Sequence, residues 1–350
     1  RGLGDVYKRQ ERIHVKVPGE QPQDREYMKQ ALALAEKGQG WVNPNPMVGA
    51  VLVKDGRIIG EGYHTRYGQL HAEREAFKNA AERGEETAGA DLYVTLEPCC
   101  HTGKQPPCTE AVLASGVKRV IVGCTDPNPV VAGRGIRLLR EKGLEVVAGV
   151  LRGECERQNE VFFHFMRTKL PFTVLKYAMT LDGKTATVSG KSQWITGEAA
   201  RKRVHEDRGR YMAILTGVST VLADNPQLTC RIPGGKNPIR VIADTKLRTP
   251  LSSTVVQTAR ETPTWIVTAV SDAGRKKAYE DAGCRVLSVP AKEGELDLQA
   301  MMQRLGEEKV DSVMVESGGT LAWSFLKAGL VNRVQAYICL LYTSPSPRDA

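Results

Sequence analysis

The stretch YVTLEPCCHTGKQPPC at residues 93–108, together with the shorter HAE at residues 71–73, decides what this chain can fold into and bind. The HAE opens a helical pattern, and Cys99 follows a β-rich run. One imidazole, from His71, and two thiolates, from Cys99 and Cys108, suit zinc, and a catalytic zinc site keeps a fourth position for water. We predict a catalytic zinc site with Glu73 as its proton carrier.

Two neighbouring residues are alternative ligands in this stretch. Cys100 and His101 directly follow Cys99, and eight residues separate Cys99 from Cys108, which places the third ligand after a loop. Cys99 is preferred because it follows Pro98, as in the Pro-Cys pattern of zinc nucleobase deaminases. The alternatives are a buried cysteine cluster or a structural zinc with His101 as fourth ligand, and either would leave Glu73 without a task.

Helical and strand patterns alternate on both sides of this stretch, which predicts an α/β protein. In the first half we predict helices at 24–37, 71–83, 109–114 and 135–142, and strands at 48–54, 57–63, 91–96, 119–123 and 144–148. In the second half we predict strands at 172–177, 211–215, 239–244, 264–268, 285–289 and 312–315, and helices at 198–206, 271–282, 297–305 and 321–328. The predicted domains are 24–165 and 171–339, and 153–170 is predicted to be the linker.

The two ends show neither helical nor strand periodicity. Residues 1–10 and 340–350 resemble translated sequencing-adapter sequence, and we expect both to be artefacts. Residues 1–23 are then an N-terminal extension, and we expect the second domain to be truncated and to lack its final strands.

Composition limits the class of protein. The 350 residues are 41% hydrophobic and 25% charged, which is typical of a globular chain with two domains. No apolar run approaches the roughly 20 residues of a membrane-spanning helix, and we expect a cytoplasmic protein without a membrane partner. The net charge of +9 favours anionic ligands without choosing among them, although no stretch is a basic arm interleaved with aromatic residues. We expect a small phosphorylated substrate and no nucleic-acid partner. Whether the chain forms a homo-oligomer is left open.

These motifs and several others resemble one family, the bifunctional riboflavin-biosynthesis deaminase/reductases. Beyond the two quoted stretches, the resemblance is carried by PNPMVGAVLVKDGRIIGEGYH (44–64), DPNPVVAGRGI (126–136), LKYAMTLDGKTA (175–186), SQWITG (192–197), TGVSTVLADNPQLTCR (216–231) and ESGGTLAWSFL (316–326). It spans residues 24 to about 337. The long spacer between Cys99 and Cys108 is a feature of this family.

The resemblance implies two folds and two reactions. The first is a cytidine-deaminase-like α/β/α domain that uses Zn²⁺ to hydrolyse the C2 amino group of a phosphorylated diaminopyrimidinone. The second is a dihydrofolate-reductase-like α/β domain that uses NADPH to reduce the ribosyl chain. The chain lacks the Gly-x-Gly-x-x-Gly fingerprint of a Rossmann domain. Instead, Gly318-Gly319 joins a predicted strand to a helix and could hold a phosphate.

The resemblance also implies binding residues. Side-chain amides of Asn43 and Asn45 would read the heterocycle, unless they only form Asn-Pro turns, and His64 and Lys104 would touch the substrate or face solvent. The family also keeps Lys176 and Asp182; Lys176 would neutralise a phosphate, and Asp182 with Gly183 could form no more than a turn. NADPH contacts would fall on Ala178, Trp194, Thr220, Asp224, Thr245, Gly318, Gly319, Thr320, Leu321, Ala322, Trp323 and Ser324. Contacts with the phosphorylated pyrimidine substrate would fall on Ser192, Arg208, Leu228, Arg231 and Glu316.

Three rival interpretations follow from the same residues. A tRNA-type deaminase shares the zinc chemistry, but the eight-residue spacer and the whole second half oppose it. A catalytically silent zinc scaffold would tolerate the loss of Glu73. In the third, only the deaminase half works, and we expect a fragment ending near residue 165 to deaminate on its own.

Overall fold

The computed structural model describes residues 17–102, 105–128, 132–185 and 196–339. Contacts between residues divide it into two compact units. The first holds residues 17–38 and 47–159, and the second holds residues 39–46 and 160–339. In the described ranges, no helix combines the length and the apolarity needed to cross a bilayer.

The first unit is built on a five-stranded sheet of order β2-β1-β3-β4-β5. Strand β1 is antiparallel to both β2 and β3, whereas β3, β4 and β5 are parallel. The strands are β1 (Gly49–Lys54), β2 (Arg57–Tyr63), β3 (Asp91–Leu96), β4 (Arg119–Cys124) and β5 (Glu145–Ala148). The helices are α1 (Asp24–Glu36), α2 (Ala72–Glu82), α3 (Cys108–Ala114), α4 (Arg134–Glu141) and α5 (Arg152–Gln158).

Helix α2 packs unusually closely on strand β2. A Cβ atom at Gly60 or Gly62 would collide with backbone atoms of Ala76. The helix face that meets the strand is small as well, since Ala72, Ala76 and Ala80 are fully buried. This close packing fixes the start of α2, where His71 and Glu73 lie.

The second unit is built on a seven-stranded sheet of order β10-β9-β8-β7-β13-β6-β14, in which every described pairing is parallel. Its strands are β6 (Phe172–Thr180), β7 (Ala213–Gly217), β8 (Ile239–Ala243), β9 (Thr264–Thr268), β10 (Arg285–Ser288), β13 (Ser312–Glu316) and β14 (Arg333–Cys339). Strands β11 (Ala291–Lys292) and β12 (Glu295–Leu296) form a small antiparallel pair. The helices are α6 (Glu160–Thr168), α7 (Glu198–Arg210), α8 (Val218–Asp224), α9 (Thr254–Gln257), α10 (Ala273–Asp281), α11 (Leu298–Glu307) and α12 (Gly319–Lys327).

Several parts of the fold differ from the sequence predictions, which contain neither the short helices α8 and α9 nor the β11–β12 pair. The predicted linker at 153–170 is instead mostly helical, since α5 and α6 occupy most of it. Burial of apolar side chains stabilises these helices: Cys155 in α5, and Phe162, Phe163 and Phe165 in α6. Strand β14 was not predicted, although its side chains alternate between half-buried and exposed. The predicted domain boundaries stay a prediction.

Candidate active sites

Three side chains with metal-binding atoms converge in the first unit. His71 directly precedes α2, Cys99 follows β3, and Cys108 is the first residue of α3. The His71 Nδ1 atom lies 3.5 Å from the Cys99 Sγ atom and 3.3 Å from the Cys108 Sγ atom. One ligand atom from each of the three residues lies within 4.8 Å of the others. The sequence prediction that these residues share a site therefore agrees with the geometry.

The geometry of these atoms fits zinc. In a tetrahedral shell with Zn–S near 2.3 Å and Zn–N near 2.0–2.1 Å, sulfur and nitrogen lie about 3.6 Å apart, close to the two distances here. Hydrogen bonds, first from Cys108 and then from His71, lower the pKa of the Cys99 thiol to about 4 against the opposing effect of burial. A thiolate is the form that binds metal. Cys100 and His101 do not join this group, the one such cluster found in the described residues.

Glu73 lies beside the three predicted ligands. Its side chain is buried, two residues into the helix that His71 precedes. Burial raises the pKa of the Glu73 carboxyl, and the nearby Cys99 thiolate adds to the shift. A carboxyl with a raised pKa next to a metal site can accept a proton and return it near neutral pH.

His64 is a buried neighbour of His71. Its side chain is buried, and its Nδ1 atom is 2.9 Å from the carbonyl oxygen of Leu70. The His64 ring meets the His71 ring edge-on, with 5.5 Å between the ring centroids. His64 thus packs against His71, one of the predicted ligands, and the sequence alternative that His64 faces solvent is wrong.

A second candidate site lies in the other unit, around Glu316 at the end of β13. The Arg208 guanidinium binds both carboxylate oxygens of Glu316, with Nε and Nη2 at 2.8 and 3.0 Å. The Lys176 Nζ atom lies 3.6 Å from the same carboxylate. These three residues come from strands β6 and β13 and helix α7, so the fold joins a carboxylate to two cations from distant parts of the chain.

A cavity of about 320 Å³ opens in the same unit, where β13 runs into α12. Seven of the predicted cofactor-binding residues line this cavity: Thr220, Thr245, Gly318, Gly319, Thr320, Leu321 and Ser324. Apart from their chain neighbours and the backbone of the same helix, no atom of the described residues lies within 4 Å of the position that a Cβ would take at Gly318 or Gly319. Bare backbone at the start of a helix, with open space in front of it, fits a cofactor phosphate.

Comparison with known proteins matches both halves of the chain. The family model of the cytidine and deoxycytidylate deaminase zinc-binding region matches residues 21–124, and that of the RibD C-terminal domain matches residues 171–339. The riboflavin biosynthesis protein RibD of Actinobacillus pleuropneumoniae is 50% identical over 315 residues, covering 90% of this chain and 83% of the relative. That of Escherichia coli K12 is 43% identical and is covered to 87% of its length. The chain belongs to the RibD family.

A solved structure agrees with this assignment. A diaminohydroxyphosphoribosylaminopyrimidine deaminase/5-amino-6-(5-phosphoribosylamino)uracil reductase from Thermotoga maritima matches with a TM-score of 0.82 at 41% identity, over 92% of this chain and 88% of that one. The predicted fold class is confirmed: a cytidine-deaminase-like domain precedes a RibD reductase domain with a parallel sheet. The predicted function is confirmed as well. This RibD-family chain is a bifunctional deaminase and reductase of riboflavin biosynthesis, and its cofactors are zinc and NADPH.

The other predicted residues occupy varied places in this RibD fold. Leu228 is buried in the core, and Arg231 is exposed, with its Nε atom 3.3 Å from the His205 ring. Ala178 is half-buried in β6, Asp224 is exposed at the end of α8, Ala322 is half-buried in α12, and Trp323 is 64% exposed. Ser192, Trp194 and Lys104 lie outside the described residues, so their roles stay predictions.

The WVNPNP segment belongs, by its contacts, to the second unit. The Asn43 Nδ2 atom donates to a carboxylate oxygen of Asp311 at 2.7 Å, and Asp311 is buried. Asn43 therefore has a structural partner within the reductase unit. A role for Asn43 or Asn45 in reading the pyrimidine stays a prediction.

Glu97, two residues before Cys99, is a residue of the candidate zinc site that the sequence did not predict. Its buried carboxylate accepts four backbone N–H groups, those of Asp126, Gly133, Gly135 and Ile136, at 2.8–3.3 Å. A Cβ at Gly135 would collide with the carbonyl oxygen of Pro98. The start of α4 is thus held directly against the backbone that leads into Cys99. The position of a carboxylate two residues before a predicted metal ligand was the only sign in the sequence that Glu97 could belong to the site.

Replacing Glu97 by alanine is expected to weaken zinc binding and deamination by about 10- to 100-fold, the usual effect of losing a group that orients a metal ligand. Glu97→Gln keeps one acceptor oxygen and should lose less. Zinc affinity can be measured by competition with a chelator, and deamination by ammonia release. An alanine variant within twofold of wild type in both would show that Glu97 does not position Cys99. NADPH oxidation by the same protein serves as the internal control.

Proposed function

We propose that deamination occurs at the site formed by His71, Cys99 and Cys108, with Glu73 carrying the proton. The substrate is 2,5-diamino-6-ribosylamino-4(3H)-pyrimidinone 5′-phosphate. Zinc, when bound there, supplies an activated water for attack at C2 of the ring. The convergence of one imidazole and two thiolates on one point beside a buried carboxyl supports this assignment.

In this proposal Glu73 acts twice on the same proton. Its carboxylate takes the proton from the attacking water and then returns it to the departing amine. Burial keeps the carboxyl away from bulk solvent, so the proton stays within the site. His64 holds the His71 ring in position through the edge-on contact described above.

We further propose that the reductase half binds NADPH in the cavity at the start of α12. NADPH, when bound, supplies the hydride that reduces the ribosyl chain to ribityl. The cofactor phosphates would lie against Gly318 and Gly319, where the backbone is bare. Thr220 and Thr245 line the same cavity and offer hydroxyl groups to the cofactor.

The structure distinguishes Arg208 from Arg231, the two arginines that the resemblance places among the substrate contacts. Both Nε and Nη2 of Arg208 are engaged by Glu316. We assign to Arg208 the role of orienting the Glu316 carboxylate, which can accept a hydrogen bond from a ribosyl hydroxyl. Arg231, exposed beside His205, then serves the phosphate.

A reducing compartment is consistent with this proposal. All eight cysteines are free, including the three near the zinc site. Proteins of oxidising compartments use such residues for disulfides more often. We therefore propose a cytoplasmic location.

A coupled assay tests the proposed function. Intact protein is given the diaminopyrimidinone phosphate, and ammonia release and NADPH oxidation are followed separately. We expect both signals, with chelation of zinc abolishing ammonia release. Deamination of an RNA stem-loop, with the pyrimidine phosphate untouched, would favour the tRNA-type alternative and contradict the proposal.

A further inference from the structure

Arg248 lines the same cavity as Gly318 and Gly319. The cavity lies at the carboxyl ends of three neighbouring parallel strands, β8, β7 and β13. Ligands of open α/β sheets bind at such ends. Arg248 comes from the turn after β8, and the two glycines come from the turn after β13, so the cavity offers cationic and N–H groups from different strands.

Two charged side chains line this cavity, Arg248 and Glu295. The Thr245 hydroxyl lies 3.3 Å from a carboxylate oxygen of Glu295 and donates to it. Arg248 is exposed, and in the ranges that the structure describes its guanidinium makes no ion pair or hydrogen bond. The cavity therefore carries one cation that is available for a ligand.

The turn that carries Arg248 is held rigidly. The buried Asp244 carboxylate accepts both the backbone N–H and the hydroxyl of Thr249, each at 2.7 Å. Leu247 adopts a left-handed conformation with φ of 51° and is buried. The Tyr279 hydroxyl donates to the carbonyl of Thr249 at 2.7 Å, and Arg275 donates to that of Lys246 at 2.7 Å.

This rigidity matters because a ligand would not have to order the turn. Ordering a loop on binding costs free energy, and a turn already fixed by its own hydrogen bonds avoids that cost. The fold thus presents an unpaired guanidinium at a fixed place on the cavity wall. A planar guanidinium can bind phosphate in a bidentate manner, with two parallel N–H groups donating to two oxygens.

We propose that Arg248 binds the 2′-phosphate of NADPH and is the residue by which this enzyme selects NADPH over NADH. The proposal rests on the proposed binding of NADPH in this cavity. Gly318 and Gly319 would hold the cofactor pyrophosphate, and Arg248, which lines the same cavity from the turn after β8, would hold a phosphate on the adenosine end. The 2′-phosphate is the group that NADH lacks, and Arg248 is the available cation to meet it.

Binding of nucleotide fragments tests the proposal without catalysis. Calorimetry on the intact protein gives the Kd of adenosine 2′,5′-bisphosphate, which carries the 2′-phosphate, and of adenosine 5′-monophosphate, which does not. For Arg248→Gln we expect a Kd about 10- to 100-fold higher for the bisphosphate and unchanged within twofold for the monophosphate. KM for NADPH should rise in parallel, with KM for NADH unchanged. Arg248→Lys should recover part of the loss.

Lys246→Gln is the matched control, because Lys246 lies two residues away, is exposed and does not line the cavity. It should leave both Kd values within twofold of wild type. If Arg248→Gln weakened the binding of both fragments equally, or of neither, the proposal for Arg248 would be overturned. NADPH oxidation by the wild-type protein would still support the proposed reductase site. Wild-type protein that neither binds the bisphosphate nor oxidises NADPH would overturn both.

Discussion

Replacing Glu73 by glutamine is expected to lower the rate of ammonia release by about 10²- to 10⁴-fold while zinc stays bound. Glutamine preserves the shape of the buried side chain but cannot accept and return a proton. The three metal ligands are unchanged, so zinc content measured by atomic emission should match wild type. NADPH oxidation with the deaminated intermediate should also be unchanged.

Glu82→Gln provides the control for this variant. Glu82 lies on the same helix but is exposed, with Lys78 3.8 Å away. It should deaminate as wild type does. If Glu73→Gln retained full deamination with zinc in place, Glu73 would not be the proton carrier and the zinc would hold a silent scaffold.

Replacing Glu316 by alanine is expected to abolish reduction and to lower the free energy of unfolding of the reductase unit by about 3–5 kcal/mol. The side chains of Glu316 and Arg208 are each 13% exposed, and that of Lys176 is 16% exposed. Removal of the carboxylate would leave two largely buried cations without a counter-charge. Thermal or urea unfolding measures the loss, and NADPH oxidation measures activity. Ammonia release should be retained.

The pKa of Glu316 adds a pH dependence. Burial alone would raise this pKa, but Arg208 and Lys176 outweigh burial and hold it below the ordinary value. Because the folded pKa is the lower one, the ion pair contributes fully above the unfolded value of about 4.3 and is lost as the pH falls through the folded pKa. Glu316→Ala should therefore remove part of the acid sensitivity of unfolding.

Glu307→Ala is the matched control for Glu316→Ala. Glu307 also pairs with an arginine, Arg304 at 3.4 Å, but its side chain is 66% exposed. Surface pairs contribute about 0–1 kcal/mol. A Glu316→Ala variant as stable as Glu307→Ala would show that the Arg208–Glu316 pair does not stabilise the fold, and Glu316→Gln keeps the test of activity open if the alanine variant fails to fold.

The sequence predicted most strands because their signals are local, and for the same reason it predicted a set of metal ligands that the structure brings together. Alternating and helical patterns extend over a few residues, and the HAE and Pro-Cys motifs are short patterns typical of zinc deaminases. The Arg208–Glu316 pair joins residues 108 positions apart, and Glu97 is recognised only through the backbone N–H groups that donate to it, those of Asp126, Gly133, Gly135 and Ile136. Such contacts depend on tertiary structure and have no pattern along the chain.

The helices at 153–170 were missed for a related reason. Helix α5 has seven residues and α6 has nine, which is too short for a clear helical period, and Asn159 separates them. The Asn159 side chain instead binds the backbone of Met47, donating and accepting at 2.8 Å. Tertiary contacts of this kind, and not local propensity, stabilise short helices.

X-ray absorption at the zinc edge of the purified protein tests the metal site most directly. Ligation by His71, Cys99 and Cys108 predicts one zinc per chain, with two sulfur atoms at about 2.3 Å and two lighter atoms at about 2.0–2.1 Å. Cys108→Ala should reduce the sulfur count to one. A shell of three or four sulfurs, or one without sulfur, would contradict the site proposed for deamination.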